Sequence, residues 1–410
     1  MFKPLKVIFK ILKLSLLHIV WILLGFSFRN RRIWVLGSGK RFGGNSRWLY
    51  TYLQTQKNIR PIWLTSNSKI VEELRKKGWE SYRLYSFKGI YYALRAGIYL
   101  FNINVHDDIN YFLSRGVKKI NLWHGIPVKK GGYDVDLKGN YFYELYQGSG
   151  WKKVKQYFQH PWEYDVCDLV VATSEKTKKL MEGIFGPRAR RVEALGYPCQ
   201  DTIAGDLNSC LSLEKQIVDI FKGLKTKGEG IVLYMPTYRD MCVHENKEMK
   251  VGIDWKRLDE FLETINTVFF LKLHPIDRSD YSFLASLKRI KLIDPSVEVY
   301  MLFQYTDVLV TDYSSVFYDF LMTEQPIVFY CYDLEEYVMK NRTLYPDFFD
   351  SLPGPMVKDF ETLINILKDI KEGRFKFDCA KTLQIKKEVI GFTDGKSSQR
   401  IKEYLIRNFV

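Results

Sequence analysis

The 410-residue sequence predicts an α/β protein with two doubly wound units, each around a parallel sheet, preceded by a basic amphipathic helix. Three observations carry this. Short apolar runs bounded by turn residues alternate with segments of helical period. The alternation occurs twice, before residue 199 and after residue 230, with a polar interruption between. Three of the apolar runs end in polar residues: INLWHGIPVKKGG at 120–132, FFLKLHP at 269–275 and DVLVTDYSSVFYDF at 307–320. Ligands of open α/β folds bind at the carboxyl ends of the strands, so these endings are expected to share one site.

Composition sets the bounds. A chain with 46% hydrophobic and 27% charged residues is globular and excludes the disordered class. Its formal net charge of +15 directs it toward anionic partners: a membrane surface, nucleic acid or a phosphorylated substrate. The cysteines Cys167, Cys199, Cys210, Cys242, Cys331 and Cys379 have neither zinc-site nor disulfide-framework spacing, which fits a reducing compartment.

In chain order, residues 1–28 come first. Lys3, Lys6, Lys10 and Lys13 share one helical face, opposite Ile, Leu, Val, Phe and Trp. The uncharged stretch after Lys13 is shorter than the roughly 20 residues a spanning helix needs, and no small-residue cleavage site follows. An in-plane anchor is expected, with a spanning helix or a core-packed helix as alternatives. IWVLGS from Ile33 is a buried strand, followed by the loop GSGKRFGGN. That loop is neither GxGxxG nor a Walker motif; it reads as a plain strand-to-helix turn, with a substrate-contacting loop as the alternative. Asn45 or Ser46 is expected to cap a helix through Arg47 to Gln54.

The alternation then runs IRPIWLTS (strand), Lys69–Lys77 (helix), Ile90–Ala96 (helix), GIYLFNIN (strand), the Trp123-His124 strand end, Tyr141–Phe158 (helix), DLVVATS (strand), Lys176–Phe185 (helix) and RVEALGYP (strand). After Leu213–Leu224 (helix), the second unit runs GIVLYMP (strand), Asp254–Thr264 (helix), TVFFLKLHP and IKLI (strands), Val297–Gln304 (helix), TDVLVTD (strand), Ser315–Met322 (helix) and QPIVFY (strand), with helices Phe360–Ile370 and Ser397–Phe409. Expected bounds are 1–30 for the anchor, 31–205 for the first unit and 206–410 for the second. Two such units facing a cleft form the GT-B arrangement.

The chemistry follows from residue types. A neutral imidazole takes a proton near physiological pH, so His124 is the candidate general base, with Gly125, Lys129 and Lys130 beside it on the acceptor side. A protonated His274 is expected to neutralise a phosphoryl oxygen. Ser314 and Ser315 stand at a helix start, where N–H groups and the dipole favour an anion. Thr237 and Arg239, in PTYR, offer a hydroxyl and a guanidinium to phosphate. Asp319, one turn into the helix, is expected to meet a ribose, and Lys396 and Ser397 stand at another helix start. No cluster has metal-ligand spacing; a divalent metal is possible but not predicted, and no cofactor is firmly implied.

WHGIPVKK, LGYP, MPTYRD, LKLHP, TDYSSVFYDF, QPIVFY and DGKSSQRI, in this order, resemble the CDP-glycerol glycerophosphotransferases of teichoic-acid and capsule synthesis, over roughly residues 33–405. The resemblance implies a GT-B fold and a membrane-associated enzyme on the cytoplasmic face. It implies transfer of glycerol phosphate from CDP-glycerol to a hydroxyl of a lipid-linked saccharide or polyol-phosphate acceptor, with release of CMP. By position it makes His124 the base and His274 the second essential histidine. It makes Thr237, Arg239, Ser314 and Ser315 phosphate contacts and Asp319 a ribose contact, and it puts Lys396 and Ser397 in a motif that closes on the donor. Ile126, Val128 and Cys199 stand where the family usually has Thr, Leu and Arg. The absence of an added polymer-binding domain leans toward a primase rather than a polymerase. An anionic membrane surface is an expected partner and nucleic acid is not. The alternatives are CDP-ribitol as donor, a GT-B nucleotide-sugar glycosyltransferase, and a membrane-tethered polymer-binding protein.

Overall fold

Two all-parallel sheets frame the protein in a computed structural model that describes residues 3–138, 141–203, 209–239, 252–277, 280–340 and 343–410. The first contains β1 (Asn30–Gly37), β2 (Arg60–Thr65), β3 (Ser81–Arg83), β4 (Ala96–Phe101), β5 (Lys118–Asn121), β6 (Leu169–Ala172) and β7 (Val192–Ala194), in the order β3-β2-β1-β4-β5-β6-β7. The second contains β8 (Gly230–Met235), β9 (Thr267–Lys272), β10 (Ile290–Ile293), β11 (Val308–Thr311), β12 (Ile327–Tyr330) and β13 (Met356–Val357), in the order β10-β9-β8-β11-β12-β13. Central strands such as β4, β6, β9 and β11 are buried along their whole length, because helices cover both faces. In each sheet the order reverses once, between β1 and β4 and between β8 and β11. A crevice opens at such a switch point beyond the carboxyl ends of the strands.

Several elements differ from expectation. The helix after β1 is Gly44–Leu53, and its N-cap, Gly43, makes no side-chain bond. Asn45 and Ser46 therefore lie inside the helix and do not cap it. The single helix expected over Tyr141–Phe158 is two, Tyr141–Tyr146 and Gly150–Gln159, broken where Gly150 takes a φ of 69°. Val297–Gln304 gives a 3-10 turn, Tyr300–Tyr305, and the helix after TDYSS is only Val316–Phe320. The boundary expected between 205 and 206, Cys242, and the side chains of Lys3, Lys6, Lys10 and Lys13 lie outside the described residues.

The N-terminal helix spans Lys3–Leu23. Leu14, Leu17 and Trp21 pack on the core, with Trp21 stacked on Tyr111 at 5.5 Å. Leu12, Leu16, Ile19, Ile22 and Leu23 are exposed. Among the described residues no helix is long and apolar enough to cross a membrane.

The two sheets are joined by buried polar contacts. The Arg47 guanidinium meets the Glu214 carboxylate through two bonds, at 2.6 and 2.8 Å, with both side chains out of solvent. Within the range expected for the second unit, the helix Ser397–Phe409 packs on the first unit. There Arg400 Nε donates to the Leu195 carbonyl at 3.0 Å.

Candidate active site

β5 ends at Asn121, and two residues later Trp123 takes a φ of 58°. A bulky residue in the left-handed region is strained and persists only where its surroundings impose it. Here they do. Trp123 N–H donates to Asn121 Oδ1 at 2.8 Å, and its carbonyl accepts from Asn45 Nδ2 at 2.9 Å. The indole edge-packs on Phe185 at 5.1 Å. Asn45 also accepts from the Cys199 amide at 3.1 Å, so it clamps this turn to the GYPC segment. The turn presents His124 at an exposed position. His124 Nδ1 lies 3.4 Å from the Asn102 carbonyl at the end of β4, a long contact. A carbonyl only accepts, so this contact favours the Nδ1–H tautomer, in which Nε2 can act as a base.

Gly125 brings this turn to the second unit. A Cβ at Gly125 would stand 3.0 Å from Ser315 Oγ. Ser314 and Ser315 follow β11, and Thr237 follows β8, its neighbour across the switch point. The Thr237 amide donates to Asp312 at 2.8 Å, while Thr237 Oγ1 is buried without a hydrogen-bond partner among the described residues. Four of the predicted residues, His124, Thr237, Ser314 and Ser315, thus stand at strand ends that flank or face the crevice.

β9 delivers His274. Its Nδ1 accepts from the Ile276 amide at 3.3 Å. Burial by surrounding atoms, then the charges of Arg41, Lys272 and Lys129, push its pKa down to about 4, although the residue is exposed. This shift favours a neutral ring over the expected protonated one, and with Nδ1 accepting, the proton sits on Nε2. Lys272 is buried and donates to the Pro295 carbonyl at 2.7 Å; burial, opposed by Glu298 and Asp294, pushes its pKa down to about 8. Sequence reading passed over Arg41 and Lys272 as donors of charge here. The signal was available in a cation inside a glycine-rich loop and another two residues before a strand-end histidine. The glycine-rich loop itself docks on the second unit, with Gly44 N–H donating to Glu298 Oε2 at 2.8 Å.

Other predicted residues are engaged elsewhere. The Arg239 guanidinium bonds Asp312 at 2.8 Å and Asp333 at 2.7 and 3.0 Å, under the rings of Tyr313 and Tyr337, so its donors hold the loops after β8, β11 and β12 together. Asp319 is 1% exposed, and its oxygens accept from Gln200 Nε2 and Tyr300 O–H, each at 3.0 Å. It ties the Val316–Phe320 helix to the GYPCQ segment and is not open to a ribose. The amides of Ser397 and Ser398 donate to Asp201 at 2.9 and 2.7 Å, so the anion at that helix start is the protein's own; Lys396 beside it is exposed. Lys130 pairs with Asp136 at 2.5 Å, and Lys129 lies over the Tyr337 ring at 5.3 Å. Among the described residues no group of three or more His, Cys, Asp or Glu is placed to hold a metal ion.

Comparisons with known proteins agree with this architecture. The chain is 28% identical over 385 residues to the teichoic acid glycerol-phosphate transferase of Staphylococcus aureus strain NCTC 8325, covering 90% of this chain and 91% of that one. It is 27% identical over 322 residues to the teichoic acid glycerol-phosphate primase of Bacillus subtilis strain 168, covering 77% and 76%. It is 26% identical over 353 residues to the teichoic acid poly(glycerol phosphate) polymerase of the same strain, covering 83% of this chain but only 44% of that one. The solved structure of the wall teichoic acid polymerase TagF superposes with a TM-score of 0.71 at 20% identity, covering 100% of this chain and 99% of that chain, which shows a shared fold. The family described as CDP-glycerol:poly(glycerophosphate) glycerophosphotransferase matches residues 19–407, nearly the whole sequence, and the chain belongs to that family.

Proposed function

We propose that the chain transfers one or a few glycerol phosphates from CDP-glycerol to a hydroxyl of a lipid-linked saccharide, releasing CMP, at the cytoplasmic face of the membrane. The observation that carries this is the contact of the His124–Gly125 turn of one unit with Ser315 of the other. This supports a reading in which a base stands beside hydroxyl donors at a switch-point crevice.

The acceptor O–H gives its proton to His124 Nε2 while its oxygen attacks the β-phosphorus. The bond from that phosphorus to the bridging oxygen breaks, and CMP leaves with the electron pair. A positioned base supplies about 10²–10⁴ in rate. Arg41, Lys129 and Lys272 offset the diphosphate charge, and the Nε2–H of neutral His274 and the hydroxyls of Thr237, Ser314 and Ser315 donate to its oxygens. No metal step is needed in this scheme. Membrane attachment is read from the exposed Leu12, Leu16, Ile19, Ile22 and Leu23 of the N-terminal helix and from two exposed phenylalanines. Phe28 and Phe87 are 84% and 96% exposed, and Arg95 Nη1 donates to the Phe28 carbonyl at 2.9 Å.

Mass spectrometry of a soluble disaccharide acceptor after incubation with CDP-glycerol tests this. One to a few added glycerol phosphates support it, and a long ladder makes the chain a polymerase. A second donor is favoured by one observation: the teichoic acid poly(ribitol-phosphate) polymerase of Bacillus spizizenii is 30% identical over 244 residues. Turnover of CDP-ribitol in place of CDP-glycerol would decide for it.

A further inference from the structure

A continuous line of contacts runs from the base to the N-terminal helix. His124 Nδ1 faces the Asn102 carbonyl, and two residues on Asn104 caps the short helix Val105–Asp108, accepting from the His106 and Asp107 amides at 2.9 Å each. The His106 ring stacks on Trp162 at 3.7 Å and 10°, and His160 meets the same indole edge-on at 5.4 Å. Phe112 edges His106 at 6.2 Å and His18 of the N-terminal helix at 5.8 Å. The stack is thus interposed between the reacting end of the site and the helix with the exposed apolar face.

This cluster has the makings of a ligand seat. His106 Nδ1 is buried without a hydrogen-bond partner among the described residues. Asp107 is exposed, and Ile103 and Tyr141 are 42% and 49% exposed. Burial, then the charges of Glu163 and Asp107, raise the Tyr141 pKa. Aromatic faces with carboxylate and imidazole edges suit the C–H faces and hydroxyls of a sugar. The same carboxylates repel a polyphosphate chain end.

We propose that His106, Asp107, Tyr141, His160 and Trp162 seat the uncharged saccharide head of the acceptor. The proposal rests on the transfer reading above and adds an order to it: lipid at the N-terminal helix, sugar on this cluster, reacting hydroxyl at His124.

The test uses the full chain with Asp107→Asn, whose carboxylate also accepts from Asn104 Nδ2 at 2.7 Å, with Tyr141→Ala at an exposed position, and with His106→Gln as a third variant. In transfer assays the acceptor KM should rise about tenfold in Asp107→Asn, the loss of a hydrogen bond to a charged group. KM for CDP-glycerol and slow hydrolysis to CMP should stay unchanged. An unchanged acceptor KM, or an equal rise in donor KM, overturns the proposal. Saturation-transfer NMR of an alkyl disaccharide glycoside, with no donor present, gives an independent reading. Binding weakened by Asp107→Asn supports the seat even if no CMP is ever released, in which case the transfer reading alone fails. Absent or unaltered binding, or equal competition by a glycerol-phosphate oligomer, overturns the seat while turnover of CDP-glycerol leaves the transfer reading standing.

Discussion

Gly125→Ala puts one methyl group into the contact between the two units. Gly125 is outside the left-handed region, so alanine suits its backbone. The new Cβ would stand 3.0 Å from Ser315 Oγ and 3.9 Å from Ser315 Cβ, the two contacts within 4 Å. Relief comes from moving a single hydroxyl off its rotamer, at about 0.5–1.5 kcal/mol. Global stability should therefore fall by no more than about 1.5 kcal/mol. The functional loss should be larger. A hydroxyl donating to a charged phosphate is worth about 1.5–3 kcal/mol, so displacing it raises KM for CDP-glycerol about 10- to 150-fold. Steady-state CMP release read against urea unfolding separates the two. Ser315→Ala should give a similar loss, and the double variant should lose little more, because both changes remove one interaction. A Gly125→Ala enzyme with unchanged donor KM, or full additivity with Ser315→Ala, would refute the reasoning.

Further predictions follow from the buried charges. Glu214→Gln leaves the Arg47 guanidinium buried without its anion and should cost about 3–5 kcal/mol in urea unfolding. Burial holds the Asp319 carboxyl up at about 6, against the bonds from Gln200 and Tyr300. The folded chain therefore binds the proton more tightly than the unfolded one. This stabilisation is complete below about pH 4 and is lost as pH rises through about 6. Asp319→Asn should accordingly be more stable than the native chain at pH 7.5, by on the order of 2–3 kcal/mol, and should show no gain at pH 4. His274 runs the other way. Its folded pKa of about 4 lies below its ordinary value, so it withdraws stability as pH falls from about 6.5 toward 4. Arg41→Gln removes the charge that contributes most to that depression, and the His274 imidazole resonances should titrate at higher pH. An unmoved midpoint would mean that Arg41 does not face the histidine.

The strands were legible because their signal is local. The four residues of β11 are all buried, and so is the first half of TDYSS, so an apolar run followed by polar residues marked a strand end without knowledge of its neighbours. The same logic placed His124, His274, Thr237, Ser314 and Ser315 beyond strand ends, where the structure has them. What was missed depends on partners far away in sequence. Arg239 read as a phosphate ligand because nothing nearby announces Asp333, 94 residues on. Asp319 read as a ribose contact because Gln200 is 119 residues back. The helix start at Ser397 read as an open anion site because Asp201, 196 residues earlier, already occupies it. The short strands β3 and β13 carry too few residues to set a period. The left-handed turn at Trp123 has no sequence mark, since it is imposed by Asn45 and Asn121 rather than chosen by tryptophan.

The measurement that bears most directly on this account is single-turnover CMP release from CDP-glycerol by the native chain and by His124→Gln, with a soluble lipid-linked disaccharide analogue and saturating enzyme. The account predicts acceptor-dependent CMP release that falls about 10²–10⁴-fold in His124→Gln, with donor affinity unchanged, because the base is lost and the phosphate donors remain. Acceptor-dependent release at the native rate in His124→Gln would contradict it, and the base would have to be sought elsewhere in the cleft.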